Sequence, residues 1–397
     1  MTGATPRRLQ DFVRHRLRLS CYLEAPGDGR KYPRIPAKDL LWSLMMGQQF
    51  RECSFHGVEA LARSPGRAAL GIETSFGDDS LAYFTERLDP KPTREAMARV
   101  LKDAKRGKAF ADSFMIGLAI DGSGMGRRRP NACPLCHPVH DDDGTLRTHQ
   151  HHLCMASLVG VGLSLPFDVE PYAAGDSEYG AGGRLLAHVV RNLGRRFFDY
   201  VVADAKFATA PFLNAATDSG LYAVVRLKVN LPELFAVAQA RFLDKPPDVT
   251  IEEGGDHVEI WDAGDFDPWG ELRWKTVRVV RYRQHKPGGS VVEAYWLTNL
   301  PAALAGSVAL FRIAKSRWEI ENQGFNDGKN RHGMEHICRH HANSMLVCWL
   351  LALFSLMVER LYRIRYLHRG THPVLTAIEL VRAFRLCLGR PQTPDTS

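Results

Sequence analysis

The 397-residue chain lacks any apolar run long enough to cross a bilayer. The longest, MLVCWLLALFSLMV at 345–358, has 14 residues, where a spanning helix needs about 20. It predicts a buried core helix and no membrane partner. The first segment, MTGATPRRLQDFVRHRLRLS, holds no continuous apolar core and no small-residue cleavage site, so a secretory signal is not expected. Cysteine is sparse, with eight residues in the whole chain, too few for a disulfide scaffold at this length. A reducing cytoplasm is the expected compartment. No internal repeat or long low-complexity tract stands out. What the chain does have is apolar sequence, 45% of it, which excludes disorder as the main state. It also has 52 Lys and Arg against 44 Asp and Glu, a net charge of +8 with 16 further histidines. That excess favours an anionic partner, nucleic acid above all.

Residues 1–110 read as helical segments broken by Pro and Gly, a region that could contact DNA. The stretch 40–49 is apolar, and REAMARVLKDAK at 94–105 has helical spacing of Ala96, Val100, Leu101 and Ala104. Asp79 and Ser80 could cap a short helix over 81–88, with Pro90-Lys91-Pro92 separating it from the next. Two short helices so joined fit a helix-turn-helix or a plain bundle.

The pattern changes at Phe114. MIGLAI (115–120) predicts a strand ending on a turn, Asp121-Gly122-Ser123-Gly124. Residues 153–161 and 164–169 predict a hairpin joined at 160–162. A helix over 183–193, a strand YVVA (200–203) ending on Asp204, a helix over 210–217 and a strand over 221–227 follow. From 228 to 290 the chain is polar and strand-rich, as in HVEIWD (257–262) and KTVRVVRYR (275–283), and reads as a β insertion. AYWLTNL (294–300) resumes an apolar strand, and helical spacing returns over 307–329. This order predicts an α/β fold: a mixed sheet flanked by helices, with a β-rich insertion and a helical N-terminal region. The expected divisions are 1–110, 111–227 with a Cys/His loop at 126–152, 228–290, 291–369 and a tail at 370–397.

Asp121 and Asp204 both follow apolar strands. If those strands are neighbours, the two carboxylates share one end of the sheet. On the third segment, Phe311, Trp318 and Phe325 form a heptad stripe expected to face the core. Glu321 flanks it, Arg317 four residues earlier can orient Glu321 by a salt bridge, and Glu319 is expected to face solvent. Taken singly, these are a turn aspartate and a surface ion pair. Three converging carboxylates, however, are donors for hard divalent ions such as Mg²⁺. Two such ions about 4 Å apart can drive in-line phosphoryl transfer, with a basic surface holding the phosphodiester backbone.

The strand-Asp, strand-Asp, helix-Glu order, with a β insertion before the Glu, resembles the DDE transposases of bacterial insertion sequences. RWEIENQGFNDGKNRHGMEH (317–336) is similar to their Tyr-Arg-Glu-Lys signature helix, and IDGSGM (120–125) with the following Cys-x-x-Cys resembles one branch of them. The similarity covers roughly 114–360. It implies an RNase H-like catalytic fold. It also implies Asp121, Asp204 and Glu321 as catalytic carboxylates binding Mg²⁺ or Mn²⁺, supported by Arg317 and Lys329. The expected partner is double-stranded DNA, at element ends and target, held by a homodimer. Two positions depart from the signature: its Tyr position holds Ala314, and Lys329 stands one residue beyond the usual Lys spacing.

ACPLCHPVHDDDGTLRTHQHHLC (132–154) carries Cys133, Cys136, His137, His140, His149, His151, His152 and Cys154. A tetrahedral zinc takes four N or S ligands, and Cys133, Cys136 and His151 are the expected ones, in a structural site. Gly126-Arg127-Arg128-Arg129-Pro130, just past Asp121, reads as a phosphate contact. Two rival readings stand beside the transposase: a transposase-derived protein that holds DNA without cutting it, and a zinc-dependent hydrolase built on the Cys/His cluster.

Overall fold

Residues 118–120, 201–203 and 223–225 are wholly buried and lie side by side at the centre of one sheet. Such strands, with no polar face, need cover on both sides, and helices supply it. The computed structural model describes residues 4–128, 133–367 and 373–388. Its strands are β1 (Gly117–Arg128), β2 (Cys136–His140), β3 (Leu146–Val159), β4 (Leu165–Tyr172) and β5 (Tyr200–Ala203). They continue as β6 (Tyr222–Leu227), β7 (Val249–Glu253), β8 (Asp256–Phe266), β9 (Val277–His285) and β10 (Val291–Thr298). Spatial order is β4-β3-β1-β5-β6-β10-β9-β8-β7, with β2 beside the first part of β3. β1, β5 and β6 run parallel, and every other pairing is antiparallel. This is the expected mixed sheet, flanked by helices.

The β-rich stretch after residue 228 extends that same sheet. β10 pairs with β6, and β9, β8 and β7 follow outward as a meander. A helix, Pro232–Phe242, precedes the meander where only strand had been expected. Its Pro at the first turn and mixed apolar and polar residues suit a helix start that the polar composition had masked.

The helix Ala342–Tyr362 is the expected core helix. Trp349, Leu350, Phe354 and Met357 are at most 2% exposed, packed against β4 and the helices Ala37–Phe50, Asp78–Arg87 and Pro90–Arg106. Gln49 donates to the Ser355 carbonyl at 2.8 Å, and Thr85 and Ser344 hydroxyls meet at 2.7 Å. The N-terminal helices therefore wrap the helix that follows the signature segment.

Three local expectations are corrected. The helix expected from 81 begins at Asp78 behind Gly77, with Asp78 and Asp79 in its first turn, where carboxylates favour the positive end of the dipole. Pro90 and Pro92 do not separate two helices. They open the second one, with the Asp89 carboxylate accepting from the Lys91 amide, since a first turn needs no amide from proline. The helix expected from 183 starts at Glu178, because the Ser177 hydroxyl accepts from the Gly180 amide at 3.1 Å.

Candidate active site and Cys/His cluster

β1 and β5 are parallel neighbours in register, Gly117 opposite Tyr200 through Ile120 opposite Ala203. The next residue on each strand is Asp121 and Asp204. The expected sharing of one sheet end is thus set by strand pairing. Asp121 is not in a turn, however. β1 continues to Arg128 because β3 is long enough to pair with it, Asp121 opposite Met155 through Arg128 opposite His149. The glycines after Asp121 serve close packing: a Cβ on Gly122 would lie 2.3 Å from the Glu178 carboxyl carbon. Asp204 ends β5 and caps the following turn, its Oδ1 accepting from the Lys206 amide at 2.6 Å.

Glu321 lies on a helix spanning 317–331 whose middle, Ile320–Phe325, widens into a π turn. Such turns form where a side chain enters the helical ladder. Here Arg360, 3% exposed on the core helix, donates to the Gln323 carbonyl at 2.5 Å and to Asp327 at 2.7 Å. Arg360 also donates to the Ser164 carbonyl. The wide turn shifts the phase of the helix. Phe311 and Phe325 are buried as expected, but Trp318 is only half-buried and carries the Arg317 guanidinium 4.5 Å from its ring centre. Glu319 does not face solvent: its carboxylate accepts from the Gly160 amide at 3.3 Å, and burial raises its pKa. Gln323, one turn on, accepts from the Ser164 amide at 3.2 Å. These two seat the β3–β4 turn on the helix.

The wide turn also accounts for the late lysine. In an unbroken α-helix, eight residues carry the chain about 80° past two full turns. A π turn uses more residues per revolution and absorbs the extra one. Lys329 accordingly donates to the Ser123 hydroxyl at 2.8 Å, two residues beyond Asp121, and pairs with Glu335 at 3.6 Å.

Arg317 joins two of the three carboxylates, reaching Asp121 Oδ2 at 2.9 Å with one terminal nitrogen and Glu321 Oε2 at 3.1 Å with the other. Burial pushes the Asp121 carboxyl up to about 6; Arg317 and the Gly122 amide oppose the rise, while the charges of Asp204 and Glu178 add to it. The structure thus brings Asp121, Arg317, Glu321 and Lys329 together, with Asp204 within electrostatic reach.

Two neighbours escaped the sequence reading. Glu178, at the start of its helix, takes a 2.8 Å salt bridge from Lys206 and lies against Gly122. The Gly-rich run after Asp121 was its trace, a strand leaving room for a side chain opposite. Arg226 on β6 is half-buried and interacts electrostatically with Asp204 and Arg317. A lone basic residue within an apolar strand was its signal. Arg127 is exposed; Arg129 and the side chain of Arg128 lie outside the described residues.

The Cys/His segment is not a free loop: it contains β2 and the first part of β3. Cys136 stands opposite His151 in that ladder, which places both on one buried face. Cys133 Sγ lies 3.6 Å from Cys136 Sγ and 3.5 Å from His151 Nε2, and Cys136 Sγ lies 3.4 Å from His151 Nε2. A fourth group arrives from beyond the signature helix, with His340 Nε2 3.3 Å from Cys136 Sγ. The four donor atoms lie within 4.8 Å of one another. The string RHH at 339–341 was the signal for His340; it lies past the signature string, 317–336, and was not read as a ligand. His137 and His152 belong to the opposite face, their rings tilted with centres 4.3 Å apart beside Tyr172, and Cys154 donates to the Glu178 carbonyl. His140 and His149 are outside the four-donor group.

Residues 112–358 match a family model described as Transposase DDE domain. That span includes Asp121, Asp204, Glu321 and all four members of the Cys/His group. No curated protein matches the chain. Among solved structures it is similar to the piggyBac transposase in a cryo-EM synaptic complex with hairpin DNA. Identity there is 11% and the TM-score 0.46, over 97% of this chain and 80% of that one.

Proposed function

Because the chain belongs to the transposase DDE domain family, we propose that it is an insertion-sequence transposase, which cuts double-stranded DNA at its element's ends and joins the freed 3′-hydroxyls to target DNA. The observation carrying this reading is the approach of Asp121, Asp204 and Glu321, two from paired strands and one through the Arg317 bridge.

The donor set is carboxylate oxygen, which suits Mg²⁺ or Mn²⁺. The raised pKa of Asp121 records burial and like charges that a cation would offset. Bound there, divalent ions supply the charge that activates an attacking water or hydroxyl and steadies the leaving oxygen. The chain's own residues do the rest. Arg317 fixes the rotamers of Asp121 and Glu321, and Lys329 holds its ammonium at Ser123, where a scissile phosphate would lie. Arg127, with Arg128 and Arg129, extends the positive surface along the DNA backbone. The helices Asp78–Arg87 and Pro90–Arg106 are the N-terminal contact with DNA, and two copies of the chain hold the two element ends in the cytoplasm. Cys133, Cys136 and His151 hold a zinc ion that organises the start of β3.

The deciding experiment is cleavage of DNA bearing the element's own ends in the presence of Mg²⁺, wild type against Asp204→Asn. The variant should keep its melting temperature and lose cleavage by about 10³-fold or more. Retained cleavage would overturn the carboxylate mechanism; an inert wild type would return the chain to DNA holding without cutting.

A further inference from the structure

We infer that His340 completes a closed Cys133–Cys136–His151–His340 zinc site, and that this zinc is a staple binding the segment after the signature helix to the β1–β3 ladder. The inference rests on the zinc reading of the Cys/His segment and is independent of the carboxylate chemistry.

The spacings are those of a tetrahedron around one ion. With Zn–S near 2.3 Å and Zn–N near 2.0–2.1 Å, two sulfurs stand about 3.8 Å apart and a sulfur and a nitrogen about 3.6 Å. The observed edges are 3.6 Å between the sulfurs and 3.3–3.5 Å from sulfur to imidazole. Cys136 and His151 are buried, Cys133 and His340 half-buried. The Cys133 amide points at Cys136 Sγ from 3.4 Å, a donor suited to a thiolate. Two sulfurs and two imidazoles at these distances select zinc over hard cations.

Four protein donors leave no position for water, and a catalytic zinc needs one. The site is therefore structural, which speaks against the hydrolase reading. Its placement gives the staple a task. Between Lys329 and His340 the chain runs past the β1 bulge at Gly126, whose Cβ position lies 2.7 Å from the Glu335 carbonyl oxygen. The Met334 carbonyl accepts from Trp349 of the core helix at 2.9 Å, and Glu335 pairs with Lys329. An ion at the cluster joins this segment to β2 and β3, so its binding free energy adds to the folding free energy. One end of the staple is a ladder carrying Asp121, and the other is the continuation of the helix carrying Glu321.

The test uses the full-length chain purified without chelator, its zinc content measured and Co²⁺ then exchanged for it. One zinc per chain is expected, and the Co²⁺ form should show tetrahedral d–d bands with thiolate charge transfer from two sulfurs. His340→Ala should lower Zn²⁺ affinity by more than the 10–100-fold typical of losing an outer-shell partner. His340→Cys should keep the ion and raise the thiolate charge-transfer intensity by about half, from two sulfurs to three, which guards against an alanine variant that fails to fold. Asp204→Asn should keep its zinc, so loss of cleavage alone and loss of the staple are separate results. Metal-free protein overturns the proposal. So does His340→Ala binding zinc as tightly as wild type, since that would leave three ligands and an open position.

Discussion

Arg317 and Asp121 are 196 positions apart in the chain, yet a guanidinium nitrogen and a carboxylate oxygen meet at 2.9 Å, and the same guanidinium holds Glu321 at 3.1 Å. The arginine is only 8% exposed, so its contact with the buried Asp121 is poorly screened by solvent. It ties that carboxylate to the exposed one of Glu321 and fixes the directions of both. Replacing Arg317 by Lys keeps the charge but loses the two-pronged geometry. Cleavage of end-bearing DNA should then fall about 100-fold, as for a misplacement near 1 Å, while filter-binding affinity for DNA changes little. Equal losses of binding and cleavage would show that Arg317 contacts DNA instead.

A second ion pair governs stability. Glu359, 1% exposed, takes Arg51 at 2.7 Å, with His332 and Arg363 each at 3.5 Å. Burial alone would raise its pKa, but the hydrogen bond from His332 and the charges of His332, Arg51 and Arg363 outweigh it and hold the carboxyl at about 2. A depressed folded-state pKa stabilises above the usual value of 4.5, and that stabilisation is lost as pH falls from there toward 2. Urea midpoints should drop across that window, and Glu359→Gln should flatten the drop. The variant should lose about 3–5 kcal/mol near neutrality, because the half-buried Arg51 and Arg363 lose the buried charge they share.

Gly122→Ala places a methyl 2.3 Å from the Glu178 carboxyl carbon. Overpacking of this kind costs about 1–3 kcal/mol, and the Glu178–Lys206 pair must move. Thermal denaturation should show that loss. An unchanged melting temperature would mean the Glu178 side chain swings away freely.

Arg127 is exposed on β1, six residues past Asp121. If it touches a phosphate, Arg127→Ala should weaken binding to all DNA sequences alike. The slope of log affinity against log salt should fall by about 0.9 for that one contact. An unchanged slope would make it an ordinary solvated arginine.

The central strands were legible because short apolar runs bounded by turn residues leave few other placements. The sheet-end pairing of Asp121 with Asp204 followed once those strands were neighbours. The apolar core helix was legible through its composition. The register within the signature helix was not, because the groups in its wide turn are held by Arg360 from a later helix, and no local pattern marks that contact. Glu319 was misjudged for the same reason. His340 was missed because its partners lie about two hundred positions earlier, and sequence spacing reports only on nearby ligands. The extent of β1 was underestimated because its glycines read as a turn, when the side chains packed over them were supplied from elsewhere.

The arrangement around Arg360 has a bearing on when Glu321 takes its place during synthesis. Folding during synthesis proceeds from the N-terminus, so Asp121 and Asp204 can be paired on their strands well before the third carboxylate leaves the ribosome. Even then Glu321 has no seat, because the Gln323 carbonyl and Asp327 are held from a helix translated afterward. An interrupted product ending before that helix would carry all three acidic residues and the basic surface, with the third acid on an unanchored segment. The seating of Glu321 beside Arg317 and Asp121 is in this way reserved for a chain whose core helix has been made and has docked.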